Sequence, residues 1–429
     1  MSGFQTVKGF RDFFPRDCAL RNCIFQNWRD VASRHGFVEY EGPTLESTEL
    51  LRKKSGDEIT QQLFCFTTKG GEDVSMRPEV TPTLARMAAT RQRDFPKPLK
   101  WFQIGPCYRY ERQQRGRLRE FYQFNVDILG EASPAADAEL VALAVESLRA
   151  FGLEPGDFIV RLSDRRLWTE FQNARQLSEE QSAEFLQIID KMERAPAEVT
   201  NAKLQALGMT LEEVQAFIGS IDADHPIFAA LRENLEARGL WQYVKIDPGI
   251  VRGLAYYTGT VFEVFDIKHG LRAIAGGGRY DNLVGHLSDG AVKMPACGFA
   301  MGDVVLAELI KQTPAAQERM ERAMDQSMAS DVYVIVAEES QRNEALKVIT
   351  TLRQAGWRVD CSLTPLKVGK QFQAAETAKA RFAVVIGAEF PMVTIKNLGT
   401  RDQMETTADA LAQMLAELKA APEYNPLLA

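Results

Sequence analysis

The chain is poor in the residues that announce a metal centre, a covalent framework or a membrane span. Six cysteines and four histidines occur among 429 residues. Cys18, Cys23, Cys65, Cys107, Cys297 and Cys361 are scattered, with no CxxC pair and no histidine at ligand spacing. That pattern argues against structural zinc and for reduced thiols in a cytoplasm. His35, His225, His269 and His286 stand apart from any serine or cysteine in a triad-like arrangement. No apolar run approaches the roughly 18 residues that a membrane helix needs. The opening MSGFQTVKGFRDFFP lacks the apolar stretch of a secretory signal, so a cytoplasmic location is expected. Basic charge is not in excess either. A net charge of −7 disfavours a general nucleic-acid binder but leaves room for a local basic groove. With 45 % hydrophobic and 25 % charged residues the composition is that of a globular protein, long enough for two or three domains.

What is present is concentrated between Trp101 and Glu131, WFQIGPCYRYERQQRGRLREFYQFNVDILGE. Five of the eleven residues from Arg109 to Arg119 are arginine, with Glu111 among them. On either side, apolar Phe102, Ile104, Tyr122, Phe124, Val126 and Ile128 alternate with polar Gln103, Gln123, Asn125 and Asp127. This period of two predicts a hairpin of two long strands with charge on one face. Buried unpaired arginine is prohibitive, so that face meets water or a polyanion, and guanidinium forks suit phosphate oxygens. A solvated ribbon with surface charges is the bland alternative.

Around it the patterning predicts a first helix over about 17–34, with Leu20, Ile24, Trp28 and Val31 on its apolar stripe and Gly36 closing it. An extended piece at 37–43, a helical stretch near 47–54 and a hairpin-like pair at 63–68 and 74–77 follow. Pro134 opens a helix that Gly152 ends. Residues 164–240 have regular helical stripes, two capping boxes (Ser178 with Gln181, Thr210 with Glu213) and almost no strand signal. Strands are expected again at 243–246, 260–265 and 271–274, and a linker or connecting helix at 313–330. The last hundred residues alternate strands (331–337, 357–360, 382–387, 392–398) with helices, the last over about 407–419. This is the pattern of a small α/β domain on a mixed sheet.

Four short stretches add chemistry. Arg77-Pro78-Glu79-Val80-Thr81 sets a carboxylate and a hydroxyl on one turn, which suits an ammonium or merely caps a helix. VRGLAYYTGTVFEVF (251–265) brings Arg252 close to Tyr257, as a binding turn or a plain surface turn into a core strand. GGGRYD (276–281) demands close backbone approach or unusual φ values, and is weak as a phosphate loop. CGFAMGDVV (297–305) packs glycines at a helix start, beside a ligand or simply against another helix.

Taken together these stretches resemble a known family. Residues 101–131, with Arg109-x-Glu111, a loop and Arg119-x-Phe121, are similar to the second signature motif of class II aminoacyl-tRNA synthetases. Residues 37–43 after a long helix resemble the first motif, whose proline belongs to a dimer interface. KGFRDFFP (8–15), VRGLAYYTGTVFE (251–263) and GGGRYD narrow the resemblance to histidyl-tRNA synthetases. It implies an α+β catalytic core on an antiparallel sheet (1–163 and 241–325), a helical insertion (164–240) and a C-terminal α/β anticodon-binding domain (331–429).

The implied activity is histidine activation by ATP with Mg²⁺, then transfer to tRNA, in a homodimer without membrane attachment. Arg109 and Arg252 would act on the α-phosphate, Arg252 also anchoring the substrate carboxylate. Glu111, Arg117 and Arg119 would serve the nucleotide, its phosphates and its metal, with no metal held by protein ligands alone. Glu79 and Thr81 would take the α-amino group, Gln123 the substrate backbone, and Asp127 and Tyr257 the imidazole. Tyr256 and Tyr280 would line the pocket. Gln113, Gln114 and Arg115 would meet the tRNA acceptor end, and Lys367 and Lys370 the anticodon region.

Three positions depart from the family pattern. Val305 stands where the third motif has an arginine that meets adenine and the γ-phosphate, Ala255 replaces an aspartate, and Asp127 replaces a glutamate. The valine favours an alternative: a non-catalytic paralogue that regulates ATP phosphoribosyltransferase. The retained arginines and the anticodon-type domain weigh against it.

Overall fold

A computed structural model describes residues 3–55, 62–112, 116–252 and 256–420. The chain divides into two units, the first running to Met320 and the second beginning at Glu321.

The first unit is built on an eight-stranded sheet. Its strands lie in the order Val38–Glu39, Leu99–Tyr108, Glu120–Leu129, Ala296–Gly302, Ala275–Arg279, Thr260–Asp266, Phe158–Asp164 and Val244–Ile246. The two outermost pairings are parallel and the rest antiparallel. The arginine-bearing stretch is the expected hairpin, paired from Leu99 with Leu129 to Tyr108 with Glu120. Its apolar face enters the core: Phe102, Phe124, Val126 and Ile128 are buried, and Trp28 of the Pro15–Arg34 helix stacks on Phe124 at 5.3 Å. Each such side chain contributes roughly 1.5–3 kcal/mol by leaving water. The polar face is not a solvated ribbon. Gln103, Asn125 and Asp127 are buried, so the sheet offers a closed polar floor.

The GGGRYD stretch meets the first of its two expectations, close backbone approach. Its glycines are not a loop but part of the buried strand Ala275–Arg279, and residues 271–274, expected as strand, only lead into it. None of these glycines has a positive φ. They are there for space, since a Cβ on Gly277 would lie 2.1 Å from the Gly298 carbonyl oxygen.

Between Phe158–Asp164 and Val244–Ile246, five helices from Arg165–Asn173 to Ala229–Ala237 carry the chain, with both capping boxes formed. Most pack round Trp168, Phe171, Phe185 and Leu204, a cluster that takes in Val251 of the following loop. Residues 313–330 are a connecting helix, Pro314–Met328.

The second unit has five strands in the order Val359–Cys361, Val332–Val336, Phe382–Ile386, Met392–Asn397 and Gln403–Thr407, parallel on one side and antiparallel on the other. The strand Gln403–Thr407 escaped sequence reading because QMETT lies at an edge with little apolar pattern; the final helix begins only at Leu411. Among the described residues no helix is long and apolar enough to cross a membrane.

Candidate active site

The sheet face that carries the polar hairpin residues opens into a cavity of about 850 Å³. Arg109, Glu111, Arg117, Phe121 and Gln123 line one wall from the hairpin; Arg252, Glu263, Arg272 and Gly276 line the facing one, and Val305 closes an end. Walls borne by strands and one strained turn therefore converge on a single space.

Arg252 sits at φ 50°, a region that side-chain-bearing residues seldom occupy and that is tolerated where surroundings enforce it. The enforcement comes from the helical segment. Arg165 donates to the Val251 and Arg252 carbonyls at 2.8 and 3.3 Å, and Trp168 Nε1 donates to the Pro248 carbonyl at 2.8 Å. Arg252 pairs with Glu263 at 3.0 Å. A Cβ on Gly276 would fall 1.6 Å from Arg252 Nη1, so the missing side chain makes the guanidinium's seat.

Arg109 donates to the Pro78 carbonyl at 3.1 Å and lies 5.2 Å from the Phe121 ring centroid. Arg117 pairs with Glu111 at 2.7 Å on the same wall. Gln123 accepts from Cys107 Sγ at 3.4 Å. Arg119 is not among the lining residues: its guanidinium lies 4.2 Å from the Tyr110 centroid, and its backbone N–H donates to the Gly9 carbonyl at 3.0 Å. KGFRDFFP thus straps the start of the second hairpin strand, and its Arg11 pairs with Asp303 at 2.9 Å.

Deeper in lies a closed polar cluster. Asp127 is 4 % exposed and accepts the Tyr280 hydroxyl, while Gly298 leaves the space that its carboxylate fills. Burial pushes the Asp127 carboxyl up to about 7, against the Tyr280 hydroxyl and the Lys54 ammonium. Tyr256 packs on Tyr257 at 4.7 Å and edge-on to Tyr280 at 5.9 Å. Glu79 forms an ion pair with Lys54, whose side chain is fully buried and whose ammonium is 4.1 Å from the Tyr256 centroid. Burial would raise the Glu79 carboxyl, but Lys54, Arg109 and Arg252 outweigh it and hold it below the usual range. Thr81 opens the helix Thr81–Arg91, whose N-cap is Val80, so neither Glu79 nor Thr81 is a cap.

Sequence reasoning missed Lys54, Arg11, Glu263 and Arg272. Arg11 and Glu263 lie inside signature stretches, but nothing local marks them as partners of Asp303 and Arg252; Lys54 and Arg272 lie in stretches without a signal of their own. Gln113, Gln114, Arg115 and Ala255, singled out above, lie outside the described residues. Lys367 and Lys370 are in the second unit, both exposed, at the start of the helix Val368–Thr377. Among the described residues no group of three His, Cys, Asp or Glu side chains gathers as a metal site.

A largely antiparallel sheet with an arginine-lined cavity and a buried polar cluster is the layout of a class II aminoacyl-tRNA synthetase. A family profile described as "Histidyl-tRNA synthetase" matches residues 9–306, and an anticodon binding domain profile matches residues 331–418. The chain is 40 % identical to a histidine–tRNA ligase of Opitutus terrae, covering 97 % of this chain and 99 % of that one. It is 35 % identical to the chloroplastic/mitochondrial histidine–tRNA ligase of Arabidopsis thaliana, over 93 % and 84 %. Its fold matches the crystal structure of histidyl-tRNA synthetase from Nostoc with TM-score 0.75 and 27 % identity, over 97 % and 100 %. The chain belongs to the histidyl-tRNA synthetase family.

Proposed function

We propose that this protein ligates L-histidine to its tRNA through a histidyl-adenylate, consuming ATP and releasing AMP and pyrophosphate. The observation that carries this reading is the buried Asp127–Tyr280 pair, an acceptor suited to a ring N–H, on the sheet that also bears the arginine-lined cavity. An oxygen of the histidine carboxylate attacks the α-phosphorus of ATP. The new P–O bond forms as the bond to the β-phosphate oxygen breaks, and pyrophosphate leaves. The nucleophile is already anionic, so the site must position it and offset developing charge rather than remove a proton. Arg109 and Arg252 face the α-phosphate and Arg252 the substrate carboxylate. Glu79, which already holds an ammonium, takes the α-amino group with Thr81; Gln123 binds the substrate backbone. Asp127 and Tyr257 read the imidazole, with Tyr256 and Tyr280 as walls. An isostere lacking the ring N–H would leave Asp127 with only the Tyr280 hydroxyl as donor in a buried site, which disfavours it.

Glu111 and Arg117 serve the triphosphate, and Arg119 acts from behind the Tyr110 ring. Of the carboxylates lining the cavity, Glu111, Asp190 and Glu263, Glu111 stands beside the hairpin arginines and would hold Mg²⁺, an ion that keeps several waters and takes one or two carboxylates with phosphate oxygens. That ion offsets phosphate charge when bound.

In the second step a terminal ribose hydroxyl of the tRNA attacks the adenylate carbonyl and AMP leaves. Gln113, Gln114 and Arg115 meet the acceptor end, and Lys367 and Lys370 the anticodon region. Residues 1–163 and 241–325 form the catalytic core, 164–240 the insertion and 331–429 the anticodon domain. Six free cysteines support a cytoplasmic location. A groove of about 610 Å³ with exposed Val38 and Phe95 on its wall supports a homodimer, readable as solution mass by light scattering.

Purified protein is expected to show histidine-dependent ATP–pyrophosphate exchange and to charge its tRNA; folded protein without exchange would overturn the reading. Arg252→Ala is expected to slow exchange at least about a hundredfold, the scale of losing a charge-stabilising donor, with tRNA affinity unchanged. Unaltered exchange in that variant removes Arg252 from the chemistry.

A further inference from the structure

Arg272 brings to this cavity a guanidinium that its neighbours leave unsatisfied. It lies just before the strand Ala275–Arg279, at the end of the cavity where Gly116 and Val305 also line it. Its Nη1 is buried and makes no hydrogen bond among the described residues. Three other arginines of the site have a protein partner, Arg117 with Glu111 at 2.7 Å, Arg252 with Glu263 at 3.0 Å and Arg109 with the Pro78 carbonyl at 3.1 Å, although Arg252 Nε is also buried without one. A buried donor left unmade costs free energy, and in a ligand cavity a ligand acceptor can recover it.

The surroundings define that ligand. Burial, then the charges of Arg117 and Arg194, disfavour the protonated form of Arg272, and Glu111 is the carboxylate that opposes them. Arg194 lines the same cavity from the helical segment. The cavity lining carries five arginines, Arg109, Arg117, Arg194, Arg252 and Arg272, against three carboxylates, Glu111, Asp190 and Glu263, of which Glu111 and Glu263 are already paired. The positive charge left over is one that a polyphosphate neutralises and a single carboxylate does not. Geometry then selects Arg272 for this end of the cavity. A Cβ on Gly116 would lie 3.3 Å from Val305 Cγ2 and 3.7 Å from Arg272 Cδ, so both side chains face the same backbone turn. Valine brings only methyl groups to that space.

We propose that Arg272 binds the terminal phosphates of ATP, supplying from the edge of the Ala275–Arg279 strand the guanidinium that position 305 does not carry. The inference rests on reading this cavity as the ATP site. Its fork donates to two oxygens of the β- and γ-phosphates, and the same contact holds pyrophosphate as it departs.

The test is steady-state ATP–pyrophosphate exchange with the full chain. Arg272→Ala is expected to raise KM for ATP about ten- to a hundredfold, the loss of one charge-assisted bidentate contact. KM for histidine and the thermal unfolding midpoint are expected to stay as in the wild type. Arg272→Lys is expected to recover part of the loss. Val305→Arg in the Arg272→Ala background is expected to recover more, because a longer side chain there reaches the emptied space. A wild type without histidine-dependent exchange defeats the ATP reading itself. An active wild type with unchanged KM for ATP in Arg272→Ala defeats the Arg272 assignment alone. So does a matching loss of AMP affinity, which would put the contact on the nucleoside. Rescue by Val305→Arg separates ligand contact from a merely structural role.

Discussion

Asp127, which the proposed function makes the reader of the imidazole, also carries a pH dependence. Its carboxyl is buried against Tyr280, and burial raises it from 3.8 to about 7. An acid with a higher pKa folded than unfolded binds more protons in the folded state between those two values. The contribution of Asp127 to stability therefore falls as pH rises from about 4 to about 7 and levels off above. Asp127→Asn keeps an acceptor for the Tyr280 hydroxyl but removes the ionisation, so it is expected to flatten this slope. Measured without bound histidine, the variant should be more stable than the wild type at pH 8, by on the order of a few kcal/mol, and equal to it near pH 4. Thermal unfolding across that range reads the difference, and parallel curves would contradict it. The same variant is expected to lose histidine affinity, since an amide presents a weaker acceptor to the ring N–H. The neighbouring Lys54 shows how far such a site depends on partners: a buried ammonium persists because Glu79 is beside it and a tyrosine face lies 4.1 Å away.

The strand Ala275–Arg279 illustrates what an element does when side chains are withheld. Its glycines run between the strands Thr260–Asp266 and Ala296–Gly302, and their neighbours differ in kind. A methyl group at 277 meets backbone, with the Gly298 oxygen at 2.1 Å and Phe299 Cα at 2.5 Å. A methyl group at 276 meets chiefly the end of Arg252, with Nη1 at 1.6 Å. The first clash can be relieved only by moving strands, the second by moving a guanidinium. Gly277→Ala is therefore expected to destabilise the fold by about 2 kcal/mol or more, the range of overpacking in a closed core. Gly276→Ala should cost less stability yet slow ATP–pyrophosphate exchange as strongly as losing Arg252's alignment. Paired unfolding and exchange measurements distinguish them; equal stability losses would show that the strand yields uniformly.

At the scale of the molecule, two units divide two kinds of recognition. The cavity belongs to the first; the second presents Lys367 and Lys370 at a helix start, near the 91 %-exposed Leu363. Positive side chains at a helix N-terminus are unfavourable for the helix and favourable for phosphate, a placement that a nucleic-acid contact explains. The double variant Lys367→Ala, Lys370→Ala is expected to raise KM for tRNA in charging several-fold and to lower the salt dependence of tRNA binding by about two phosphate contacts. Histidine-dependent exchange should be unchanged. A fall in exchange together with charging would place these lysines elsewhere than in the tRNA contact.

The alternation of Phe102, Phe124, Val126 and Ile128 with polar neighbours was sufficient for the hairpin, because a strand's faces follow from a period of two. Capping chemistry likewise specified the helices after Ser178 and Thr210, and the signature stretches pointed to the family. Local pattern could not reveal that GGGRYD is a core strand, since glycine carries no hydrophobic signal and its reason for being there is the backbone across from it. Nor could it reveal that the polar face of the hairpin is enclosed. Lys54, Glu79, Asp127 and Tyr280 become one cluster only when segments distant in the chain fold together. The Arg252 turn is enforced by Arg165, 86 residues before the Val251 carbonyl that it holds. Arg272 and Val305 meet at one end of a cavity that no stretch of chain encodes alone. Periodicity and motif chemistry are properties of neighbours in sequence. Enclosure, charge balance and pKa are properties of neighbours in space, and they arise only once distant segments have packed.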